Sequence, residues 1–405
     1  MYFWVSYNTP IVAIGLKRMR DASLEVKKKK TEEHGELPSM SIVIPVKDEE
    51  RVIERLLKAL LKADYPPEKK EIIIVEDGSK DRTAEICRDY GERYPGLIKY
   101  FHRDMSNGKP SALNFGFEHA TGEIVAIFDA DNVPEPDVFM EVAKYFEDPS
   151  VAAVQGTTCI INAEENMLTK FVSYEEAAWL KTFLQGKDTL KLFVPLTGSC
   201  QFIRRETAEK VGLWDEDCLA EDLEMAARIT EQGYKVRYAP DVVSWQEAPS
   251  KMSHLVKQRI RWFRGYMEVA IKYGRFLKHL ETKKIDAEIT LMGPFVVASF
   301  VFSNAFSMYI SFFPVQDGIF VTLTKITMLL TACTLAVAGI ALMYATKPLK
   351  AKNILWLPFM YLYWSLQCVL TSYAFLQIVF KRPRHWVKTE KTGRSTRNTT
   401  EVPRV

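Results

Sequence analysis

The sequence predicts an α/β fold: a mostly parallel sheet with helices on both faces, followed by C-terminal transmembrane helices. Two observations carry this. From Met40 onward, short apolar strands alternate with segments of helical periodicity. The charges, in turn, are unevenly spread. The 405 residues include 54 Lys and Arg and 51 Asp and Glu, yet residues 289–380 hold only Asp317, Lys325, Lys347, Lys350 and Lys352. A charged globular part and a nearly uncharged part therefore share one chain. That pattern excludes a simple soluble enzyme, a disordered chain and a pure channel. A formal net charge of +3 with no arginine-aromatic platform argues against nucleic acid as a partner.

The chain opens with an apolar run, Tyr2–Leu16, interrupted by Pro10 and followed by Lys17, Arg18, Arg20 and Lys27–Lys30. With the basic residues after it rather than before, it does not read as a secretory signal. It reads as a short anchor or an interfacial segment, with a basic linker to residue 38. Strands are expected at Ser41–Val46, Glu71–Val75, Leu97–Phe101 and Glu123–Phe128. Helices are expected at Arg51–Lys62, Asp81–Tyr90 and Pro110–His119, the last with proline at its favourable first position. Residues 39–283 are expected to form one cytosolic domain ending in an interfacial helix.

Three long apolar runs follow: Ile289–Phe313, Ile319–Thr346 and Ile354–Phe380. Each can cross a bilayer core, which takes roughly 20 residues. Cytoplasmic loops carry the excess of Lys and Arg. The loop Pro314–Gly318 has one acid and no base, so it lies outside; Lys347, Lys350 and Lys352 put the next loop inside. The basic tail from Lys381 also belongs inside, which a third full crossing forbids. Ile354–Phe380 is therefore expected to be interfacial or re-entrant, with Pro358 and its aromatic residues suiting that position. This makes 284–381 a membrane region and 382–405 a basic cytosolic tail. Cys87, Cys159, Cys200, Cys218, Cys333 and Cys368 show no zinc or redox spacing and read as free thiols in a reducing compartment.

Ligands of such sheets bind beyond the carboxyl ends of the strands. Two strands end there in carboxylates: Asp77 in Glu76-Asp77-Gly78-Ser79, and the pair Asp129-Ala130-Asp131. Hard oxygen ligands at a strand end suit Mg2+ or Mn2+ with positions left for phosphate oxygens. A turn or a helix cap explains the same residues more simply, and only their position against the sheet favours a site. Later come Gly198-Ser199-Cys200, Glu221-Asp222 at a helix start, and Gln258-Arg259-Ile260-Arg261-Trp262 in a helical stretch. Offsets of three and four put Gln258, Arg261 and Trp262 on one helix face. An arginine there can stabilise diphosphate charge and a tryptophan can stack on a sugar, but a basic-aromatic helix beside a membrane has the same composition.

In that order, Asp77, Asp129-x-Asp131, Glu221-Asp222 and Gln258-x-x-Arg261-Trp262 resemble the D, DxD, (T)ED and QxxRW signature of membrane-bound family-two glycosyltransferases, the GT-A-type synthases of cellulose, hyaluronan, chitin and poly-N-acetylglucosamine. The resemblance runs from about Ser41 to Arg264. Departures are Asp48 in place of the usual asparagine of the first motif and Ala220 in place of the threonine of TED. Trp386-Val387-Lys388-Thr389-Glu390-Lys391 resembles the cytosolic gating loop of these synthases, which follows an interfacial segment.

The resemblance implies an inverting, metal-dependent hexosyltransferase in the cell membrane, with its catalytic domain cytosolic. The donor would be a nucleotide sugar, UDP-linked. It implies Asp222 as catalytic base; Asp77, Lys109, Asp129, Arg261, Thr389 and Lys391 on the donor; and Asp131 on Mg2+ or Mn2+. Gly198, Ser199, Cys200, Glu221, Gln258 and Trp262 would meet the acceptor. A growing extracellular polysaccharide is the expected acceptor; a single transfer to a membrane lipid is the alternative, because a polymer channel needs several helices. Partner subunits that would complete a channel stay open.

Overall fold

The computed structural model describes residues 2–25, 36–274, 281–312, 355–384 and 388–396, with scattered positions between 318 and 339. Most of the expected second apolar run, the Lys347–Lys352 loop, and Trp386 and Val387 of the gating-like segment lie outside these residues.

In chain order the first elements are α1 (Tyr2–Glu25), β1 (Met40–Val46), α2 (Ile53–Lys62), β2 (Lys70–Asp77), α3 (Thr83–Arg93), β3 (Ile98–Arg103), α4 (Lys109–Glu118) and β4 (Ile124–Ile127). β5 (Val133–Pro134), α5 (Val138–Tyr145), β6 (Val151–Ile160) and α6 (Met167–Ala178) follow, then a π-helical turn at Trp179–Leu184 and α7 (Gln185–Thr189). Next are β7 (Gln201–Arg204), α8 (Arg205–Val211), α9 (Glu221–Glu231), β8 (Lys235–Gln246) and α10 (Met252–Tyr273). The chain continues with α11 (Thr282–Leu291), α12 (Gly293–Phe312) and α13 (Leu357–Val379).

The eight-stranded sheet has the order β3-β2-β1-β4-β7-β6-β8-β5. Parallel pairing joins β3 to β2, β2 to β1, β1 to β4, and β6 to β8. β7 is antiparallel to both β4 and β6, and β5 to β8, so only β7 and the two-residue β5 oppose the rest. The sheet is thus mixed rather than uniformly parallel: β7, reached from β6 through α6, the π-helical turn and α7, runs back between β4 and β6.

Strand alternation explains why the first strands are so apolar. Val43, Ile73 and Val75 face one buried cluster with Leu113 and Phe117 of α4 and residues of α9. Ile42, Ile44, Ile72 and Ile74 face a second cluster with Leu56 and Leu60 of α2 and Val142 of α5. With helices on both faces, a strand needs apolar residues at every position.

The chain reverses direction across the sheet at β1: β2 and β3 add on one side of it, β4 on the other. That is a topological switch point, where the crevice of such sheets opens. Because β7 runs backwards, its first residues lie beside the carboxyl end of β4, where Ile127 pairs with Gln201. The carboxyl ends of β6 and β8 reach the same edge, with Ile160 opposite Gln246.

The opening run is a helix that extends past Leu16 to Glu25, and Ile11 is buried on the domain. α13 is a single unbroken helix, apolar and long enough to cross a membrane. The helix runs on past Pro358, which lies in its first turn, where proline does no harm; the re-entrant half of the expectation for Ile354–Phe380 is not met, and its interfacial half is untouched. The bend lies elsewhere, as α11 and α12 meet at 46°. The expected boundary at residue 284 falls inside α11, whose Asp286 accepts from Lys187 Nζ at 2.9 Å and from the Phe193 amide at 2.7 Å. The cysteines are all free thiols, with Cys87 and Cys200 buried.

Candidate active site

Asp77 closes β2 and is buried. Its Oδ2 accepts from the Ser106 hydroxyl at 2.5 Å, and its Oδ1 lies 3.2 Å from Arg103 Nε. It stands two strands from β4 on the same edge of the sheet.

The residues after β4 form a fastened turn. Ser199 Oγ accepts from the Asp129 amide at 3.0 Å and donates to Asn132 Oδ1 at 2.9 Å. Gln155 of β6 supports the neighbouring loop: its Oε1 accepts from the Thr197 amide at 2.8 Å, and its Nε2 donates to the Ser199 carbonyl at 3.0 Å. Ser199 is 2% exposed and Cys200 0%. The Cys200 sulfur lies 3.9 Å from the Val242 carbonyl, and burial pushes its thiol up. The Ser199 and Cys200 side chains, expected to meet an acceptor, are thus turned inside the domain, where they hold the loop. Gly198 alone of the three faces charged groups. At φ +86° it adopts a conformation that L side chains rarely take, and a Cβ there would lie 3.0 Å from Asp222 Oδ2 and 3.5 Å from Lys109 Nζ.

Lys109, at the start of α4, gathers the cluster. Its Nζ is 2.7 Å from Asp129 Oδ1, 2.9 Å from the Gly198 carbonyl and 3.4 Å from Glu221 Oε1. Burial alone would lower its pKa, but Asp129 and Glu221 outweigh that and raise it. Glu221 and Asp222 open α9, where the helix dipole favours acids. Asp222 Oδ1 accepts from the Leu223 amide at 2.8 Å. Burial and the adjacent Glu221 carboxylate push the Asp222 carboxyl up, while Lys109 pulls it back.

Arg261 joins this cluster by helix geometry. α10 crosses the start of α9 at Gly265, where a Cβ would lie 2.9 Å from the Ala220 Cβ. Only glycine lets the backbones come so close. Arg261 sits one turn earlier on that face. Burial lowers its pKa, and Glu221, Asp222 and Asp129 oppose that. Trp262 lies under the Arg259 guanidinium, 4.4 Å from ring centroid to Cζ. Arg259 in turn donates to Glu175 Oε2 at 2.5 Å. Gln258 and Trp262 are half-buried on α10, with Gln258 one turn before Trp262.

Asp131 forms a second, adjoining group. Its Oδ2 accepts from Lys391 Nζ at 2.7 Å and from the Glu247 amide at 2.8 Å, and its carbonyl accepts from Arg55 at 3.1 Å. Burial raises its pKa, but Lys391 outweighs burial and the net direction is down. Lys391 also feels the charge of Asp129, which links the two groups. Thr389 is half-buried on the same tail. Sequence reasoning missed Glu247, Arg55, Asn132 and Gln155. Glu247 carried the signal used for Asp77 and Asp129, a carboxylate just after a strand, but β8 went unrecognised.

The donor set fits a divalent cation in kind. Asp129 and Asp131 offer hard oxygens, and the Asp131 oxygen already accepts a cation, the Lys391 ammonium. Among the described residues no group of three or more His, Cys, Asp or Glu could hold a metal. The protein would thus supply few ligands, as Mg2+ sites shared with phosphates do.

The chain is similar to known proteins in sequence and in fold. The probable glycosyltransferase YdaM of Bacillus subtilis is 35% identical over 254 residues, 62% of this chain but only 60% of that protein. The poly-beta-1,6-N-acetyl-D-glucosamine synthase of Staphylococcus epidermidis is 28% identical over 288 residues, 71% of this chain and 68% of its own. In fold, the chain is similar to a mannosyltransferase from Pyrobaculum calidifontis solved with GDP-Man and Mn2+. The TM-score is 0.60 at 20% identity, covering 94% of this chain and 99% of that one. Residues 38–265 match the family model described as Glycosyltransferase like family 2. That span is more than half of the chain and holds the strand-end carboxylates, the Lys109 cluster and Arg261; the chain belongs to that family.

Proposed function

We propose that the protein transfers a sugar from a nucleotide diphosphate sugar, UDP-linked, to a growing polysaccharide, with inversion at the anomeric carbon. The observation that carries this is the Lys109 cluster. Four separate segments bring Asp129, Gly198, Glu221, Asp222 and Arg261 around one ammonium at the switch point of the sheet. The resemblance to the poly-beta-1,6-N-acetyl-D-glucosamine synthase supports a polymeric product.

In this reading Asp77 and Arg103 hold the nucleoside end of the donor. Asp222 is the general base. Burial raises its proton affinity, so it is a stronger base than an exposed aspartate, and Lys109 keeps it ionised. Asp222 takes the acceptor hydroxyl proton, and the oxygen attacks the anomeric carbon from the face opposite the diphosphate. The new glycosidic bond forms as the bond from carbon to diphosphate oxygen breaks. Arg261 and Lys109 stabilise the charge that builds on the leaving diphosphate. Mg2+ or Mn2+ held by Asp131 would screen that same charge. Gln258 and Trp262 provide a surface for the acceptor. α13 and the bent pair α11–α12 are apolar enough to hold the domain at a membrane, catalytic side in the cytosol.

The test is a screen of UDP-sugars on purified membranes with Mg2+ or Mn2+, reading released UDP and product length. Polymer supports the proposal. A single-sugar lipid product supports the lipid-acceptor alternative, and no UDP release with any sugar overturns both.

A further inference from the structure

Glu247 has no place in the reaction just described, yet it makes more contacts with the tail than any residue of that site. It is 3% exposed and stands directly after β8. Its Oε1 accepts from the Thr392 amide at 2.5 Å and the Thr392 hydroxyl at 2.7 Å. Its Oε2 accepts from the Gly393 amide at 3.0 Å. Its carbonyl accepts from Lys391 Nζ at 2.9 Å. Its own amide donates to Asp131 Oδ2. One residue therefore binds three consecutive tail residues and the carboxylate at the heart of the second group. Further contacts place the tail on either side: Lys388 lies 3.1 Å from Glu49, and the Thr396 amide donates to the Ile161 carbonyl at 3.1 Å.

We propose that Glu247 is the positioning residue that seats the C-terminal tail, and that the seated tail delivers Lys391 to Asp131 as an exchangeable substitute for a divalent cation. The inference rests on the reading of Asp131 as a metal ligand. A divalent ion on Asp131 would compete with the Lys391 ammonium 2.7 Å away, because the like charges repel across a few ångströms. A buried carboxylate left without a cation is costly. Lys391 removes that cost while no metal is bound, and a divalent ion held by Asp131 would release the ammonium from it. Thr392 and Gly393 stay on Glu247 throughout, so the lid is retained while its lysine changes partner.

The experiment uses full-length protein in nanodiscs, without any sugar donor. Hydrogen exchange of the peptide covering 388–396 reports the seat, and free Mn2+ measured by electron paramagnetic resonance reports the exchange. Glu247→Gln should speed tail exchange about tenfold or more, since it weakens three bonds to one charged acceptor. Thr392→Pro, which removes the tail's own amide donor to Glu247 and leaves the domain's residues unchanged, should do the same. Lys391→Met should tighten Mn2+ binding severalfold. Wild-type exchange in both seat variants overturns the seat. Unchanged or weaker Mn2+ binding in Lys391→Met, or none in either protein, overturns the exchange. No readout needs the donor, so failure of the proposed transfer reaction leaves this result standing, and an active transferase with an unseated tail overturns only this inference.

Discussion

Lys109 is the most informative residue to remove, because its charge sets the working pH of Asp222. The point a Gly198 Cβ would occupy lies 3.0 Å from Asp222 Oδ2 and 3.5 Å from Lys109 Nζ. The two charges are therefore no more than about 6.5 Å apart, which at an effective dielectric constant of about 20 gives an attraction of about 2.5 kcal/mol. That equals about two pKa units. The sign follows directly. Asp222 must be ionised to accept a proton, and Lys109 lowers its pKa against burial and Glu221. Lys109→Met removes the lowering influence, so Asp222 loses its proton only at higher pH. The acidic limb of kcat/KM against pH should move up by about two units, with activity at low pH falling most. Lys109→Arg keeps the charge and should keep the limb near its original place. The assay is UDP release from saturating and limiting donor between mildly acid and alkaline pH, with thermal melting run alongside. A limb that stays put or moves down in a folded Lys109→Met protein would refute the assignment of Asp222 as the base.

Three further outcomes follow from the same geometry. Asp222→Asn should lower kcat by about 10²–10⁴-fold while UDP binding, measured by calorimetry, stays close to wild type. Asp131→Ala should abolish the dependence of activity on added Mn2+, and a chelated wild-type sample that turns over at full rate would count against the metal role. Lys187→Met should destabilise the fold by about 3–5 kcal/mol, because Lys187 is fully buried and its Nζ lies 2.9 Å from both oxygens of Asp286. Denaturant unfolding reads that loss, and the double variant Lys187→Met with Asp286→Leu should recover much of it.

Which parts were legible in the sequence follows from burial. β1, β2 and β4 sit between two helix layers, so nearly every residue is apolar and the run announces the strand. β6 gives no such signal. Its Gln155, Thr157 and Thr158 are buried yet polar, since they hydrogen-bond loops and side chains beside the site. β8 carries Lys235, Arg237, Pro240 and Asp241 and pairs irregularly with β6 between Gln155 and Thr157, which hides its period. The carboxylates at strand ends were readable, because a polar residue closing an apolar strand at the open edge of a sheet needs a reason. The roles of Ser199 and Cys200 were not. A short polar loop looks the same whether it meets a ligand or braces a turn, and only burial distinguishes the two. The pairing of Lys391 with Asp131 spans 260 residues and leaves no local trace in either segment.

α10 explains how the apolar helix α13 can bear on the site. Arg261 and Trp262 occupy its middle, and the same helix is bound to α13 at two heights. Arg259 and Tyr363 share the Glu175 carboxylate, at 2.5 Å and 2.8 Å. One turn beyond Arg261, Arg264 donates to the Arg382 carbonyl at 2.7 Å and the Pro383 carbonyl at 3.0 Å, just past the end of α13. Arg384 then lies 3.1 Å from Glu268. The first residues of the tail are thus pinned to the helix that carries Arg261, and Lys388–Thr396 are pinned to the sheet edge that carries Asp131. The sheet-edge attachment rests on Glu247, which holds Thr392 and Gly393, and the separate attachment beyond α13 rests on Arg264, which donates to neutral carbonyls. Arg264→Met should therefore loosen the exchange protection of 382–384 while leaving that of 391–393 in place.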